Sequence, residues 1–258
     1  MKLMEKVAVI PGGTAGIGLA IAKGYVKEGA SVIVAGRNEA RAKDAEAQLK
    51  ELGNKGYSAI CDITDEAQVN ALMEQVKEKM GRIDIMVNSA GVFPAAPFLK
   101  MTSKEWKENM DINLHGPFYC ARAVAPMMAE QKWGRIIFIT SAQGLRGIPL
   151  MSHYTAAKGG IIAFTRCIAS ELGPYNITVN TIAAGLTLTG PVTGGLHSDE
   201  ELNFLATLMP NKRLGVAEDY VGYAVLLASD EGSHITANTL AIDGGMTQAQ
   251  AVTEGLYE

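Results

Sequence analysis

Short runs of β-branched and aliphatic residues alternate along the chain with longer segments whose apolar residues recur at helical spacing. Val7 to Ile10, Ser31 to Ala35, Gly56 to Ile60, Ile83 to Val87, Arg135 to Thr140 and Ile177 to Asn180 read as strands, and Leu240 to Ile242 as a seventh. Ile17 to Glu28, Glu39 to Leu52 and Glu66 to Met80 read as helices; in the last, Val69, Leu72, Met73, Val76 and Met80 share one face. Strands that are nearly continuous in apolar residues, each followed by a helix, predict a mostly parallel sheet covered on both faces. The expected fold is therefore a single α/β domain over residues 1–258, a doubly wound seven-stranded sheet of the Rossmann type. Residues 186–211, with Gly190-Pro191 and Gly194-Gly195 ahead of a short helix from Asp199, follow the sixth strand and are expected to form a lid over a ligand.

The turn after the first strand narrows the chemistry. Gly12-Gly13-Thr14-Ala15-Gly16-Ile17-Gly18 opens the first helix. Glycines let backbone approach a pyrophosphate, and the free N–H groups of a helix start attract the anion. At the end of the second strand stands Gly36-Arg37-Asn38, with no carboxylate before Glu39. An acidic residue there suits the ribose hydroxyl of NAD(H), whereas an arginine suits the 2′-phosphate of NADP(H). NADP(H) is thus the favoured cofactor, and NAD(H) stays open.

Catalytic chemistry enters with Tyr154 and Lys158, four residues apart at the start of a helical segment running to Leu172. A free phenol titrates near 10, and a nearby cation favours its ionised form. Ser141, just past the fifth strand, can donate a hydrogen bond to a carbonyl oxygen. Asn113 stands among apolar neighbours in a long helical stretch, where its amide needs partners.

Taken together, these motifs resemble the short-chain dehydrogenase/reductase family over essentially the whole chain. The family's T-G-x-x-x-G-x-G corresponds to Pro11 to Gly18, its N-N-A-G to Asn88-Ser89-Ala90-Gly91, and its P-G-x-x-x-T to Ala184 to Thr189. The Asn–Ser–Tyr–Lys tetrad falls on Asn113, Ser141, Tyr154 and Lys158. The resemblance implies that Tyr154 is the acid or base, that Lys158 lowers its pKa and holds the nicotinamide ribose, that Ser141 polarises the carbonyl, and that Asn113 holds a relay water. It further implies a cofactor site of Gly12, Thr14, Ala15, Gly16, Ile17, Gly18, Arg37, Asn38, Asp62, Ile63, Asn88, Ala90, Gly91, Gly185, Thr187 and Thr189 with Tyr154 and Lys158. Substrate contacts are expected from Phe93, Gln143, Leu145, Ile148, Met151, Leu186 and Leu188, an apolar set suited to a hydrophobic ketone or secondary alcohol. His153 and Arg146 stand nearby as polar candidates, each equally explained by packing or solvent.

Three departures accompany the resemblance. Pro11 replaces Thr, which puts the tie between the glycine turn and the Asn88 segment in doubt; Ser89 replaces Asn; Ala184 replaces Pro, which could loosen the backbone beyond it. The expected activity is an NADP(H)-dependent ketone reductase. An NAD-dependent alcohol or hydroxysteroid dehydrogenase, a 3-oxoacyl thioester reductase and a catalytically silent nucleotide-binding sensor remain as alternatives.

Composition adds limits. The net charge of −4, from 23 basic and 27 acidic residues, gives no reason to expect nucleic acid or an anionic membrane as partner. Cys61, Cys120 and Cys167 are too scattered for a disulfide framework and are expected as buried free thiols, in keeping with a cytoplasmic protein. The four histidines outline no metal site. The resemblance also implies a homodimer or homotetramer.

Overall fold

Alternate residues of each central strand go into opposite halves of the core, which is why the strands lack a polar face. Ala8 and Ile10 face one way with Val32, Val34, Ile85, Val87, Ile137 and Ile139. Val7 and Val9 face the other way with Ile33, Met86, Ile136 and Phe138. The structure is a computed structural model and describes residues 1–53, 55–189 and 198–249.

The strands are β1 (Val7–Pro11), β2 (Ser31–Gly36), β3 (Gly56–Ile60), β4 (Ile85–Asn88), β5 (Gly134–Ser141), β6 (Ile177–Ala184) and β7 (Thr239–Ile242). They form one sheet in the order β3-β2-β1-β4-β5-β6-β7. Every pairing is parallel, so the sheet is wholly rather than mostly parallel. The helices are α1 (Gly16–Lys27), α2 (Glu39–Leu52), α3 (Glu66–Met80), α4 (Ser103–Met110), α5 (Gly116–Gln131), α6 (Ser152–Leu172), α7 (Asp199–Thr207) and α8 (Val221–Ala228). Residues of α1, α2 and α8 fill one half of the core; those of α3, α5 and α6 fill the other.

The order reverses between β1 and β4, and the loops leaving these strands diverge to opposite faces. This is the switch point at which such sheets bind ligands. The expected β4 begins two residues late because Asp84 is used differently: its carboxylate accepts from the Val7 backbone N–H (2.8 Å) and pairs with Arg82. β6 runs on to Ala184, in register with Ser141 and Ile242, so the alanine in place of proline leaves the pairing regular. Between α4 and α5 the chain takes one π-helical turn, Asp111–His115, with Asn113 buried at its centre. A π turn adds a residue to the helical repeat and re-aims the side chain there.

One expectation needs correction. Cys61 and Cys120 are buried, and burial pushes their thiols up to about 11 and about 12, but Cys167 is exposed. Of the expected lid, α7 is formed, capped reciprocally by Ser198 and Glu201; residues 190–197 lie outside the described residues.

Candidate active site

The carboxyl ends of β1, β4, β5 and β6 surround a cleft of about 670 Å³. Its floor is the glycine turn. Gly12 has φ +80°, and a Cβ there would stand 2.3 Å from the Ala90 backbone nitrogen. The two loops thus touch backbone to backbone, which only glycine allows. The replaced threonine does not cost the tie between them, because the Ser89 N–H donates to the Pro11 carbonyl (2.8 Å). A Cβ on Gly18 would lie 2.5 Å from the Gly12 carbonyl oxygen, so the start of α1 is pressed onto the turn. That helix start has no side-chain cap and no acidic residue in its first turn. Unpaired N–H groups and the helix dipole together favour an anion at this point. These features fit a dinucleotide pyrophosphate.

The opposite wall carries the reactive groups. A Cβ on Gly144 would meet the α6 backbone at Lys158 and Gly159 (2.9 and 3.0 Å). The turn after β5 therefore lies directly on α6, and Ser141 is brought against Tyr154. Ser141 Oγ accepts from the Gln143 N–H (3.1 Å), which fixes its rotamer. Tyr154 is wedged beneath Phe93, with ring centroids 6.5 Å apart in an edge-on contact. Burial raises the Tyr154 pKa, and its hydrogen bond with Ser141 opposes that rise. Lys158 Nζ lies 5.8 Å from the Tyr154 ring centroid and donates to the Ile139 carbonyl (3.3 Å). Burial pushes its pKa down to about 8.

Asn113 reaches this wall from the π turn. Its Nδ2 donates to the Val92 carbonyl (2.9 Å) and to Asn109 Oδ1 (3.2 Å), and its Oδ1 accepts from the Val92 N–H (3.2 Å). A Cβ on Gly91 would stand 2.9 Å from Asn113 Oδ1 and 3.2 Å from Lys158 Nζ. Asn113 thus clamps the strand-β4 loop against Lys158, although it does not line the cleft.

The cleft walls include Gly12, Ala15, Gly16, Ile17, Ala90, Gly91, Phe93, Ser141, Gln143, Ile148, Met151, Tyr154, Lys158, Gly185, Leu186, Thr187 and Thr189, as the sequence predicts. Other expected residues sit elsewhere. Thr14 packs on Gly36, whose Cβ would meet its Oγ1 at 2.9 Å. Asn38 is spent on capping α2 through the Arg41 N–H (2.9 Å). Arg37 pairs with Asp62 at 3.6 Å on the surface. Burial opposes ionisation of Asp62, but hydrogen bonds from Thr64 and the charge of Arg37 hold its carboxyl below the ordinary value. Ile63 packs under Gly116, and Asn88 is buried at the end of β4. Leu145 is exposed beyond the lining, and Leu188 packs with Met209, Leu214 and α7. Thr187 lines the cleft, but its hydroxyl is held by Tyr220 (2.5 Å) and donates to the Gly185 carbonyl (2.9 Å).

Sequence reasoning missed Arg41, which lines the cleft near the glycine turn. No local signal marks it, since Arg37 lies before the N-cap of α2 and does not share a helix face with Arg41. Arg146 is tied down, donating to the Met246 carbonyl (3.0 Å). His153 faces away from the cleft into a second cavity.

A fully parallel doubly wound sheet, a glycine turn at its switch point and a serine, tyrosine and lysine facing that turn define a nicotinamide-dependent oxidoreductase; the chain belongs to the short-chain dehydrogenase/reductase family. The family model described as enoyl-(acyl carrier protein) reductase matches residues 12–247. Among individual relatives, the 3-oxoacyl-[acyl-carrier-protein] reductase FabG of Haemophilus influenzae is 36% identical over 244 residues, covering 95% of this chain and 99% of the relative. A 3alpha-hydroxysteroid dehydrogenase of Mediterraneibacter gnavus is 36% identical over 246 residues, covering 95% and 98%. The crystal structure of a variant actinorhodin polyketide ketoreductase with NADPH superposes with a TM-score of 0.91 at 27% identity, covering 95% and 98%. Proteins of this family act on CH–OH and C=O groups with NAD(P)(H), and so does this one. No helix among the described residues is long and apolar enough to cross a membrane.

Proposed function

We propose that the protein is an NADP(H)-dependent reductase of a hydrophobic ketone, with a 3-oxoacyl thioester as the leading substrate class. The observation that carries this reading is the single cleft with Ser141, Tyr154 and Lys158 on one wall and a capless helix start opposite. Ketone over enone follows from the same wall: a hydroxyl pair can share one carbonyl oxygen, donating a hydrogen bond from Ser141 and a proton from Tyr154. The 3-oxoacyl preference is supported by the FabG relative. Arg37 and Arg41, both near the turn from β2 into α2, support NADP(H), because guanidinium groups fork onto phosphate oxygens.

The glycine turn and the start of α1 would hold the pyrophosphate, Arg37 and Arg41 the 2′-phosphate, and Lys158 the nicotinamide ribose. The bound cofactor supplies the hydride. Burial keeps Tyr154 protonated, which suits it to act as the acid of reduction. Proton transfer leaves a phenolate beside the Lys158 ammonium, where opposite charge stabilises it. Phe93, Ile148, Met151 and Leu186 exclude water around the carbonyl. The substrate is a free or carrier-bound small molecule, and the working form is a homo-oligomer.

A second reading is a hydroxysteroid dehydrogenase, favoured by the apolar walls and by the relative of that name. Oxidation of NADPH and NADH across 3-oxoacyl thioesters, cyclic diketones and oxosteroids separates the two. The expected result is reduction of a 3-oxoacyl thioester with NADPH preferred at least about tenfold in kcat/KM, a difference lost in Arg37→Ala/Arg41→Ala. Equal or better efficiency with NADH, or no effect of the double variant, overturns the cofactor assignment; response to oxosteroids alone selects the second reading.

A further inference from the structure

Behind the catalytic wall lies a second cavity of about 330 Å³, between α4, the start of α6 and the loop after β4. It shares only Val92 with the lining of the cleft. Glu105, Glu108 and Asn109 line it, and their spacing of three and four residues turns one face of α4 toward it. The inner end holds polar atoms that the protein leaves unsatisfied. His153 is fully buried, and neither ring nitrogen has a hydrogen-bond partner among the described residues; Asn109 is buried with Nδ2 unpaired. Turning the Asn109 amide round brings no relief. Its Oδ1 already accepts from Asn113 Nδ2 (3.2 Å), and the Asn113 oxygen is taken by the Val92 N–H. Buried polar atoms without partners destabilise a fold, so this end is made for an occupant that can bond to them. An amide nitrogen donates, and a neutral imidazole offers one donor and one acceptor. A hydroxyl, which both donates and accepts, suits that set.

The outer end has a different character. Glu105 and Glu108 are exposed at the mouth. Both bonds that Glu105 accepts at the cap of α4, from the Thr102 N–H and hydroxyl (2.7 Å each), fall on Oε2 and leave Oε1 for a ligand. Those bonds hold its carboxyl below the usual value, which keeps it ionised at neutral pH. Glu108 stands 3.7 Å from Lys104, and no cationic side chain is among the residues lining the cavity. Between the two ends the wall is apolar, formed by Val92, Pro94, Ala96 and Ile112.

We infer that this chamber is a binding site for a small amino alcohol. Its ammonium group sits between the two glutamates, a short carbon chain lies on the apolar wall, and its hydroxyl reaches Asn109 and His153. From Glu105 to Asn109 the helix rises about 6 Å, which sets the separation of the ligand's two polar ends. The carboxylates at the mouth repel acids, and the unsatisfied inner end disfavours a plain alkyl group. The site lies outside the cleft and does not depend on the reductase reading.

The test is calorimetric titration of aminopentanol into the whole protein, with and without saturating NADPH, beside pentanol, pentylamine and hydroxypentanoate. Aminopentanol should bind once per chain in both conditions, with a Kd on the order of 1 mM or tighter. Pentanol lacks the charge and pentylamine the hydroxyl, and each should bind about tenfold more weakly. Hydroxypentanoate should give no heat. Glu105→Gln/Glu108→Gln keeps the helix cap and should weaken aminopentanol about tenfold while leaving pentanol unchanged. His153→Phe fills the inner end and should abolish binding of both. Because the glutamate pair is exposed, its variant keeps the test decisive if His153→Phe does not fold. Absence of heat with aminopentanol overturns the site. So does aminopentanol binding no tighter than pentylamine, or binding untouched by the glutamate variant, which would place the ligand elsewhere on the protein.

Discussion

Lys158 holds its ammonium group where water cannot reach it, and that placement has a measurable cost. Its ordinary value is 10.5, and burial takes the folded protein's value to about 8. The charged form is therefore disfavoured in the fold, by on the order of 3 kcal/mol below pH 8. Between pH 8 and 10.5 the unfolded chain binds the extra proton, so stability rises with pH; above 10.5 both states are neutral and the penalty is gone. Lys158→Met should thus raise the thermal midpoint at pH 7 by about 5 °C, an advantage that shrinks to nothing by pH 10.5, while turnover falls at least about a hundredfold. Calorimetry across pH and steady-state rates check both. Tyr154→Phe should abolish turnover while NADPH binding, followed by nicotinamide fluorescence, survives. Near-normal rates in that variant would remove Tyr154 from the chemistry. Both residues were legible in the sequence through the motifs around them and the family resemblance, since a tyrosine and a lysine four apart are a weak signal by themselves. Their titration was not: burial is the largest influence on both, raising the Tyr154 pKa and lowering that of Lys158. Burial depends on what the rest of the chain places over a residue.

At the scale of elements, helix α5 is held close to the loop after β3 by a missing side chain. A Cβ on Gly116 would come within 2.6 Å of Ile63 Cδ1 and 3.1 Å of its carbonyl oxygen. Gly116→Ala gains helix propensity but overpacks this contact, and the expected net is a loss of about 1–2 kcal/mol in chemical denaturation. Adding Ile63→Ala should cost less in that background than alone, because the two share one contact. Strict additivity would show that α5 moves instead. Strand and helix positions were read well from periodicity, with α2 and α3 at their expected bounds. The π turn at Asp111–His115 was not, since its five residues carry the same helical pattern as their neighbours. Nor was the early start of Asp84's work: a carboxylate in an apolar run finds its partners, Val7 and Arg82, only once β1 is alongside.

At the scale of the whole molecule, the prediction concerns assembly. The proposed oligomer should appear in sedimentation velocity as a dimer or tetramer at micromolar concentration; a monomer throughout would reject it. Sequence by itself determined the alternation of strand and helix and the glycine turn, because these rest on local periodicity and short spacings; the serine, tyrosine and lysine were legible through the resemblance of several ordered motifs to one family. It also placed most of the cleft through motifs that occur in the right order. Tertiary structure alone decided that Arg41 joins the cleft while Arg37 turns to Asp62, that Asn113 grips Val92 rather than lining the site, and that His153 opens onto a separate chamber. Cavities and orphaned polar atoms arise between segments far apart in the chain, where α4, α6 and the loop after β4 meet. No local pattern encodes the space left between them.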